Sequence, residues 1–324
     1  MSGVRHPAFL IVGTPRSGTT LVQRLASELE GVRVPPETHF FTEFVTEVLT
    51  RWSLPLSGTA LREVLDTYAG RRYLRDIPFD ADAVTTDLDG RCGSLVELYG
   101  AIVRHLAGPA RIVGEKTPGH LLWWRPLTRA LPDLKLIAVV RDPRAVAASW
   151  VRLGWGDDPF RAAHRWSSDT RRVLAASKAL GPERFLLVRY ELLVADPDAS
   201  RAQVAEFLGT PGSPLAPSTL APLDAALAPG WETWKHDAFN AVDPALAGRW
   251  SGTLTVTQSN DVRALCRTGM VRLGYEDVLG LAAAIGRRLA FPPSVQLRRL
   301  RLAARRPWRE MEVARIGRAT AFSR

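Results

Sequence analysis

Phe9-Leu10-Ile11-Val12-Gly13-Thr14-Pro15-Arg16-Ser17-Gly18-Thr19-Thr20 decides how this chain folds. Four apolar residues open the stretch, a run suited to a strand buried on both faces. Gly13 and Gly18 bound a loop, after which Leu21, Leu25 and Leu29 recur at helical spacing and Gly31 is placed to end the helix. In such a strand–loop–helix, successive backbone N–H groups converge on an anion, and the helix N-terminus adds partial positive charge. A bare G-x4-G is an ordinary turn; Arg16, Ser17, Thr19 and Thr20 in the same eight residues make it a phosphate cradle. A Walker A loop places Lys directly after the second glycine, then Ser or Thr. Here Thr19 and Thr20 stand there and the cation comes earlier, as Arg16. The loop therefore suits holding a terminal phosphate rather than magnesium-assisted γ-phosphoryl transfer.

A second strand–turn–helix is expected at Leu134–Val140, with Arg141-Asp142-Pro143-Arg144 as its turn, Asp142 as N-cap and Pro143 in the first helical turn. The helix continues through Ala145 to Trp150. A third apolar strand, Arg184–Val188, leads into Arg189-Tyr190-Glu191. Alternation of this kind predicts an α/β fold with a doubly wound parallel sheet. The segment from about 42 to 110 reads as mainly helical, a cap or insertion beside the sheet, with a turn-rich patch near Ile77–Gly93. Residues 209–230, rich in Pro, Gly, Ser and Ala, read as an irregular excursion. One domain is expected over 1–286, followed by a basic extension over 287–324. Arg141 closes a strand, and Ser149 lies eight residues on, about two helical turns. Alone, that arginine reads as a salt bridge or cap; paired with the first loop, Arg141 and Ser149 form a second phosphate site.

Composition narrows the classes. Hydrophobic residues at 46% against 23% charged support a buried core and argue against global disorder. Two cysteines, Cys92 and Cys266, are too few for a disulfide framework or a Cys-based zinc site, and suit a reducing compartment. No apolar run has the roughly 18–20 residues of a membrane span, and no secretory leader is visible, so a cytoplasmic location is expected. The net charge of +10 is local: residues 287–324 hold eleven arginines and two acids, Glu310 and Glu312, leaving the first 286 residues at +1. A nucleic-acid-binding role for the whole chain loses its support.

Pro15-Arg16-Ser17-Gly18-Thr19-Thr20 resembles the 5′-phosphosulfate loop of sulfotransferases that use 3′-phosphoadenosine 5′-phosphosulfate (PAPS). Val140-Arg141-Asp142-Pro143-Arg144-Ala145-Val146-Ala147-Ala148-Ser149 resembles their 3′-phosphate motif. Arg189-Tyr190-Glu191-Leu192-Leu193-x3-Pro197, then Gly248-Arg249-Trp250, Leu254-Thr255 and Gly274-Tyr275-Glu276, are similar to later segments of the family. The resemblance spans about 7–277 and points to a bacterial branch akin to carbohydrate, tyrosylprotein and polyketide sulfotransferases. It implies a P-loop-like three-layer α/β fold, PAPS as co-substrate with 3′-phosphoadenosine 5′-phosphate (PAP) as product, a hydroxyl-bearing acceptor and no metal. Pro15, Arg16, Ser17, Gly18, Thr19, Thr20, Arg141 and Ser149 are the implied nucleotide ligands. Arg249 completes the 3′-phosphate site in this reading; Trp250 is a stacking or a core residue, and Tyr190 an adenine-side contact or a core tyrosine.

Sulfuryl transfer needs a proton acceptor, in-line positioning and neutralisation of the leaving phosphate. Arg16 and the loop amides suit the last two. Val34-Pro35-Pro36-Glu37-Thr38-His39-Phe40 returns the chain towards the sheet edge; Glu37 and His39, two apart, share a face in extended backbone. By the resemblance both are base candidates, and the sequence does not choose between them. Gly114-Glu115-Lys116-Thr117-Pro118-Gly119-His120 offers Lys116, a compact ammonium suited to a sulfuryl or bridging oxygen. The competing reading there is an ion pair between Glu115 and a neighbouring arginine. His120 is equally a structural or an acceptor-site histidine. Trp123, Trp124, Trp150, Trp155 and Trp166 line an acceptor pocket or, individually, sit in the core.

Leu297, Leu300, Ala304, Trp308 and Met311 recur at helical spacing among arginines, a cationic amphipathic pattern weakened by Pro307. Three readings compete for 295–316: contact with an anionic membrane surface, packing on its own domain or a partner subunit, or a solvated tail. Two rival functions stand beside the transferase: a P-loop nucleotide kinase or ATPase, and a non-catalytic protein that keeps the fold. Acceptor identity and homo-oligomerisation are not legible.

Overall fold

The computed structural model describes residues 6–155, 159–210, 248–275, 278–318 and 322. The expected irregular excursion therefore lies almost wholly outside the described residues, as do Glu276 and the side chain of Arg249. The chain runs β1 (Phe9–Gly13), α1 (Thr19–Ser27), β2 (Val32–Arg33), α2 (Val45–Arg51), β3 (Leu56–Ser57), α3 (Gly58–Ala69), α4 (Ala81–Asp87), β4 (Arg91–Cys92) and α5 (Leu95–Ala107). Then come β5 (Ile112–Lys116), α6 (Trp124–Ala130), β6 (Lys135–Val140), α7 (Pro143–Arg152), α8 (Pro159–Leu180), β7 (Phe185–Arg189), α9 (Tyr190–Ala195) and α10 (Pro197–Leu208). Beyond the gap follow α11 (Val256–Arg272), α12 (Leu281–Leu289) and α13 (Pro293–Ile316).

The core is a five-stranded sheet in the order β2-β5-β1-β6-β7, every neighbouring pair parallel. All five residues of β1 are buried, because its two faces meet different helical layers. Phe9 and Ile11 face α1, α9 and α10 through Val22, Leu25, Leu193 and Val204. Leu10 and Val12 face the other way, into the core shared with the cap helices. Three of the five strands follow the apolar runs of the sequence. The two it did not announce, β2 and β5, explain themselves. β2 is two residues long, and β5 (Ile-Val-Gly-Glu-Lys) buries Glu115 and Lys116, so no apolar run marks it.

Residues 42–110 hold α2 to α5, and two features there differ from the sequence reading. The patch near Ile77–Gly93 contains α4: Asp80 accepts hydrogen bonds from the amides of Asp82 and Ala83, so residues that favour turns serve as an N-cap. A small antiparallel pair, Leu56–Ser57 with Arg91–Cys92, joins two segments within the insertion. Asp142 caps α7 through the Arg144 amide, with Pro143 in the first turn. α13 continues through Pro307. Its final turn joins the main core: Val313 and Ile316 are buried, Phe322 stacks on Trp123 (centroids 6.2 Å apart), and Arg172 pairs with Glu310 at 3.1 Å. Among the described residues, no helix is long and apolar enough to cross a membrane.

Candidate active site

Parallel strands deliver their C-terminal ends to one edge, and that edge is where open α/β sheets bind ligands. Here Gly13 pairs with Val139, Ile11 with Lys116 and Val140 with Arg189. The register therefore brings the loop after β1, Lys116, Arg141 and Tyr190 together.

Loop 14–18 is closed by the Ser17 amide donating to the Thr14 carbonyl at 3.1 Å, and is held from outside by Trp150 Nε1 donating to the Pro15 carbonyl at 3.2 Å. Gly18 caps α1 in the left-handed region (φ 96°). A Cβ there would lie 2.3 Å from Tyr190 Cδ2, so glycine is required both by conformation and by the tyrosine packed on it. Arg16 also has positive φ, 77°. It donates from Nε to Ser149 Oγ at 3.0 Å, while Arg141 Nη1 donates to the Arg16 carbonyl at 3.4 Å. The Arg141 guanidinium lies 3.9 Å over the Tyr190 ring, and its carbonyl accepts from Trp166 Nε1 at 2.8 Å. Burial pulls Arg141 below the ordinary arginine value, against the opposing pull of Tyr190 and Glu191. Ser17 Oγ is buried with no protein partner, which is the mark of a group that an anion in the loop would satisfy. Thr19 is buried and Thr20 Oγ1 accepts from Lys116 Nζ at 3.5 Å. Two glycines, a cation and an orphaned hydroxyl thus fit a terminal phosphate.

The second part of the site is the segment after β2. Gln23 Nε2 donates to the carbonyls of Val34 (3.2 Å) and Pro35 (2.8 Å), fixing the Pro35-Pro36 approach to helix α1. Glu37 then bridges Lys116 and His39: Oε1 is 2.5 Å from Lys116 Nζ and Oε2 is 3.4 Å from His39 Nε2. His39 Nδ1 lies 3.5 Å from Glu43 Oε1, and its ring is tilted against Tyr73 at 4.9 Å. His39 has φ 49° and opens a π-helical turn over Phe40–Phe44. Among the described residues only Arg16, His39 and Asp89 are non-glycines with positive φ. Two of these three are site candidates, and strain of this kind persists where the surroundings over-determine the backbone.

Those surroundings centre on Glu115, fully buried. Its Oε1 accepts from Thr38 Oγ1 (2.9 Å) and Thr117 Oγ1 (2.5 Å), and its Oε2 meets His120 Nδ1 at 2.9 Å. The Phe41 amide donates to His120 Nε2 at 3.2 Å, so Nε2 carries the lone pair and Nδ1 the proton given to Glu115. Tyr68 Oη donates to the Thr38 carbonyl at 2.8 Å, and the His39 amide faces Thr117 Oγ1 at 3.4 Å. Burial pushes the Glu115 carboxyl up, but His120 and the two threonines outweigh it and hold the group below its ordinary value. The partner of Glu115 is therefore His120, where the competing reading placed an arginine, and His120 is spent on that contact.

The remaining candidates divide. Tyr190 is buried between Gly18 and Arg141 and braces both phosphate motifs. Trp250 lies 4.3 Å under the guanidinium of Arg144, which itself grips Asp142. Trp123, Trp124, Trp150 and Trp166 are buried, and Trp150 and Trp166 hold the Pro15 and Arg141 carbonyls. The sequence reading missed Glu43 and Tyr73. Glu43 was accessible to it, four residues after His39 on one helical face; Tyr73 arrives from the cap and left no local signal.

Comparison with known proteins agrees with this geometry. The profile of the family described as "Sulfotransferase family" matches residues 7–214, more than half of the chain, so the chain belongs to the sulfotransferase family. Protein-tyrosine sulfotransferase 2 of Gallus gallus is 28% identical over 210 residues, covering 63% of this chain and 51% of that protein. Carbohydrate sulfotransferase 2 of Mus musculus is 30% identical over 192 residues, 45% of this chain and 36% of that protein. The chain thus spans about half or less of these relatives. Among solved structures, the sulfotransferase domain from the curacin biosynthetic pathway superposes with a TM-score of 0.59 at 24% identity, covering 85% of this chain and 99% of that one. The corresponding domain of the Synechococcus PCC 7002 olefin synthase gives 0.56 at 24% identity, over 84% and 95%. Both likenesses establish the fold.

Proposed function

We propose that this chain transfers the sulfuryl group of PAPS to a hydroxyl of a small-molecule, sugar or glycolipid acceptor, giving a sulfate ester and PAP. The observation that carries this reading is the meeting of two anion-binding motifs and the Lys116–Glu37–His39 chain at one sheet edge. In this reading the 5′-phosphate side of the donor is held by the loop amides, Arg16, Ser17, Thr19 and Thr20, and the 3′-phosphate by Arg141 and Ser149. Arg249 and Trp250 are assigned to the nucleotide by family likeness alone.

PAPS supplies an activated sulfur on a phosphate leaving group. The acceptor oxygen forms a bond to that sulfur, the sulfur–oxygen bond to the phosphate breaks, and the acceptor proton goes to Glu37. Glu37 suits the role because its carboxylate lies between Lys116, which meets the loop through Thr20, and the more exposed His39. His39 orients Glu37 and the acceptor hydroxyl. Lys116 and Arg16 offset negative charge that builds on the departing phosphate and the sulfuryl oxygens. The first test is calorimetric titration with PAP, with ATP plus magnesium as comparator. Tight PAP binding with ATP much weaker is the expected result; binding of ATP alone would replace this reading with a nucleotide kinase or ATPase.

A further inference from the structure

α13 is amphipathic on two sides. Val313 and Ile316 face the protein body and are buried. At about 100° per residue, Leu297, Leu300, Ala304, Trp308 and Met311 fall within a sector of about 80° on the far side of the helix from those two. That sector is open to solvent: Leu297 is 50% exposed, Leu300 68%, Trp308 60% and Met311 66%. A second row on α12, Leu281, Ile285 and Leu289, is exposed as well. The turn between the helices is held by Gln296 Nε2, which donates to the carbonyls of Leu289 (3.3 Å) and Phe291 (2.8 Å). Single exposed apolar residues need no explanation; a continuous row on the solvent side of a packed helix does.

Charge says what covers it. From 293 to 318 the chain carries eight arginines against Glu310 and Glu312, and Glu310 is paired with Arg172. Beside the row, a cleft of about 450 Å³ opens between α8, α11 and α13, with Leu300 at its rim. Arg171, Arg272, Arg288 and His164 line it, and none of its described lining residues is acidic. A hydrophobic protein partner needs no such surplus of one sign, whereas an exposed apolar row with the exposed Arg301 and Arg315 beside it and a basic cleft next to it matches the boundary between acyl chains and anionic headgroups.

We infer that the α12–α13 face is a peripheral docking surface for an anionic lipid bilayer: Leu297, Leu300, Trp308 and Met311 enter the interface, and arginines of the helix and cleft meet the headgroups. The row spans fifteen residues from Leu297 to Met311, about 21 Å of helix, which suits lying on a membrane and not crossing one. None of the residues named here is assigned to the donor or to the proton transfer, so the inference does not rest on the reaction proposed above.

The test is flotation of the full chain with vesicles of phosphatidylcholine alone and of phosphatidylcholine mixed equally with phosphatidylglycerol. The expected result is at least about ten-fold stronger partitioning onto the anionic vesicles, weakened by high salt, and lost in the double variant Leu300→Glu/Trp308→Glu. Both positions are exposed, and an unchanged melting temperature of the variant confirms its fold. Equal partitioning onto both vesicles, or equal partitioning of variant and wild type, overturns the inference. So does concentration-dependent self-association of the free protein that the same variant abolishes, which would assign the face to a second copy.

Discussion

Arg16 donates from Nε to Ser149 Oγ at 3.0 Å, joining two motifs 133 positions apart in the chain. One motif sits in the loop after β1 and the other two turns along α7. Their contact couples the residues proposed for the 5′- and 3′-phosphates into one unit, backed by Arg141 on the Arg16 carbonyl. Arg16→Ala and Arg141→Ala are each expected to weaken PAP binding about 10- to 100-fold, the scale of a lost charge-assisted hydrogen bond. Combining Arg16→Ala with Ser149→Ala should cost less than the sum of the single changes, since the two share a partner. Calorimetry on the four proteins measures this; unaltered affinity in Arg16→Ala would remove the loop from the nucleotide site.

Glu37→Gln keeps the shape of the side chain and removes its basicity. Turnover with PAPS and an accepting alcohol is expected to fall about 10²- to 10⁴-fold, the range of a lost general base, while PAP binds as before. His39→Ala should lower turnover by less, because in the proposed mechanism it orients rather than accepts. A larger loss for His39→Ala than for Glu37→Gln would exchange the two roles.

Glu115 reaches the site only through others: it holds Thr38, Thr117 and the Nδ1–H of His120, whose Nε2 holds the Phe41 amide. Glu115→Gln cannot satisfy both ends of the network: an NH2 turned towards His120 meets the Nδ1–H, and one turned towards Thr38 and Thr117 meets the Thr38 amide and requires both hydroxyls to reverse. A stability loss of about 1–3 kcal/mol is expected, with reduced kcat and unaltered PAP affinity. The acid limb should change too. The folded carboxyl lies below its ordinary value of 4.5, so its contribution is complete above that value and is lost as pH falls through the lower folded one. Wild-type melting temperature should therefore drop more steeply below about pH 4.5 than that of Glu115→Gln; parallel curves would show that the network contributes nothing in its ionised form.

Gly18→Ala is expected to be far worse than an ordinary Gly→Ala change. It forces a Cβ into the left-handed region and 2.3 Å from Tyr190, for a cost of about 1–3 kcal/mol from the backbone alone. Because Tyr190 supports Arg141, PAP affinity should fall with stability. Thermal melts with and without PAP check both; a silent substitution would mean that the loop is not held as described.

Burial pushes the thiols of Cys92 and Cys266 up to about 12. Neither should react with iodoacetamide at pH 8 in the folded protein, and both should react in denaturant. Rapid native labelling of either would contradict its burial in the core.

Arg16 and Arg141 show how much of this protein is written locally. A buried-strand run, a short turn (Gly13 to Gly18 around Arg16, Asp142-Pro143 after Arg141) and a helix start define each motif locally, since backbone geometry and anion binding are short-range properties of a strand–loop–helix. The alternation of such units made the parallel sheet legible for the same reason. Asp80 and Glu115 mark the limit. Asp80 favours a turn or a helix cap equally until the following residues pack, and Glu115 lies in a strand without an apolar run, its burial made tolerable by Thr38, Thr117 and His120 from two other segments. Which partner His120 takes, why His39 stands in the left-handed region, and that Glu37 joins Lys116 79 positions away were decided by tertiary structure. Hydrogen bonds between buried polar groups depend on where distant segments are brought by packing, and no local pattern of residues encodes that position.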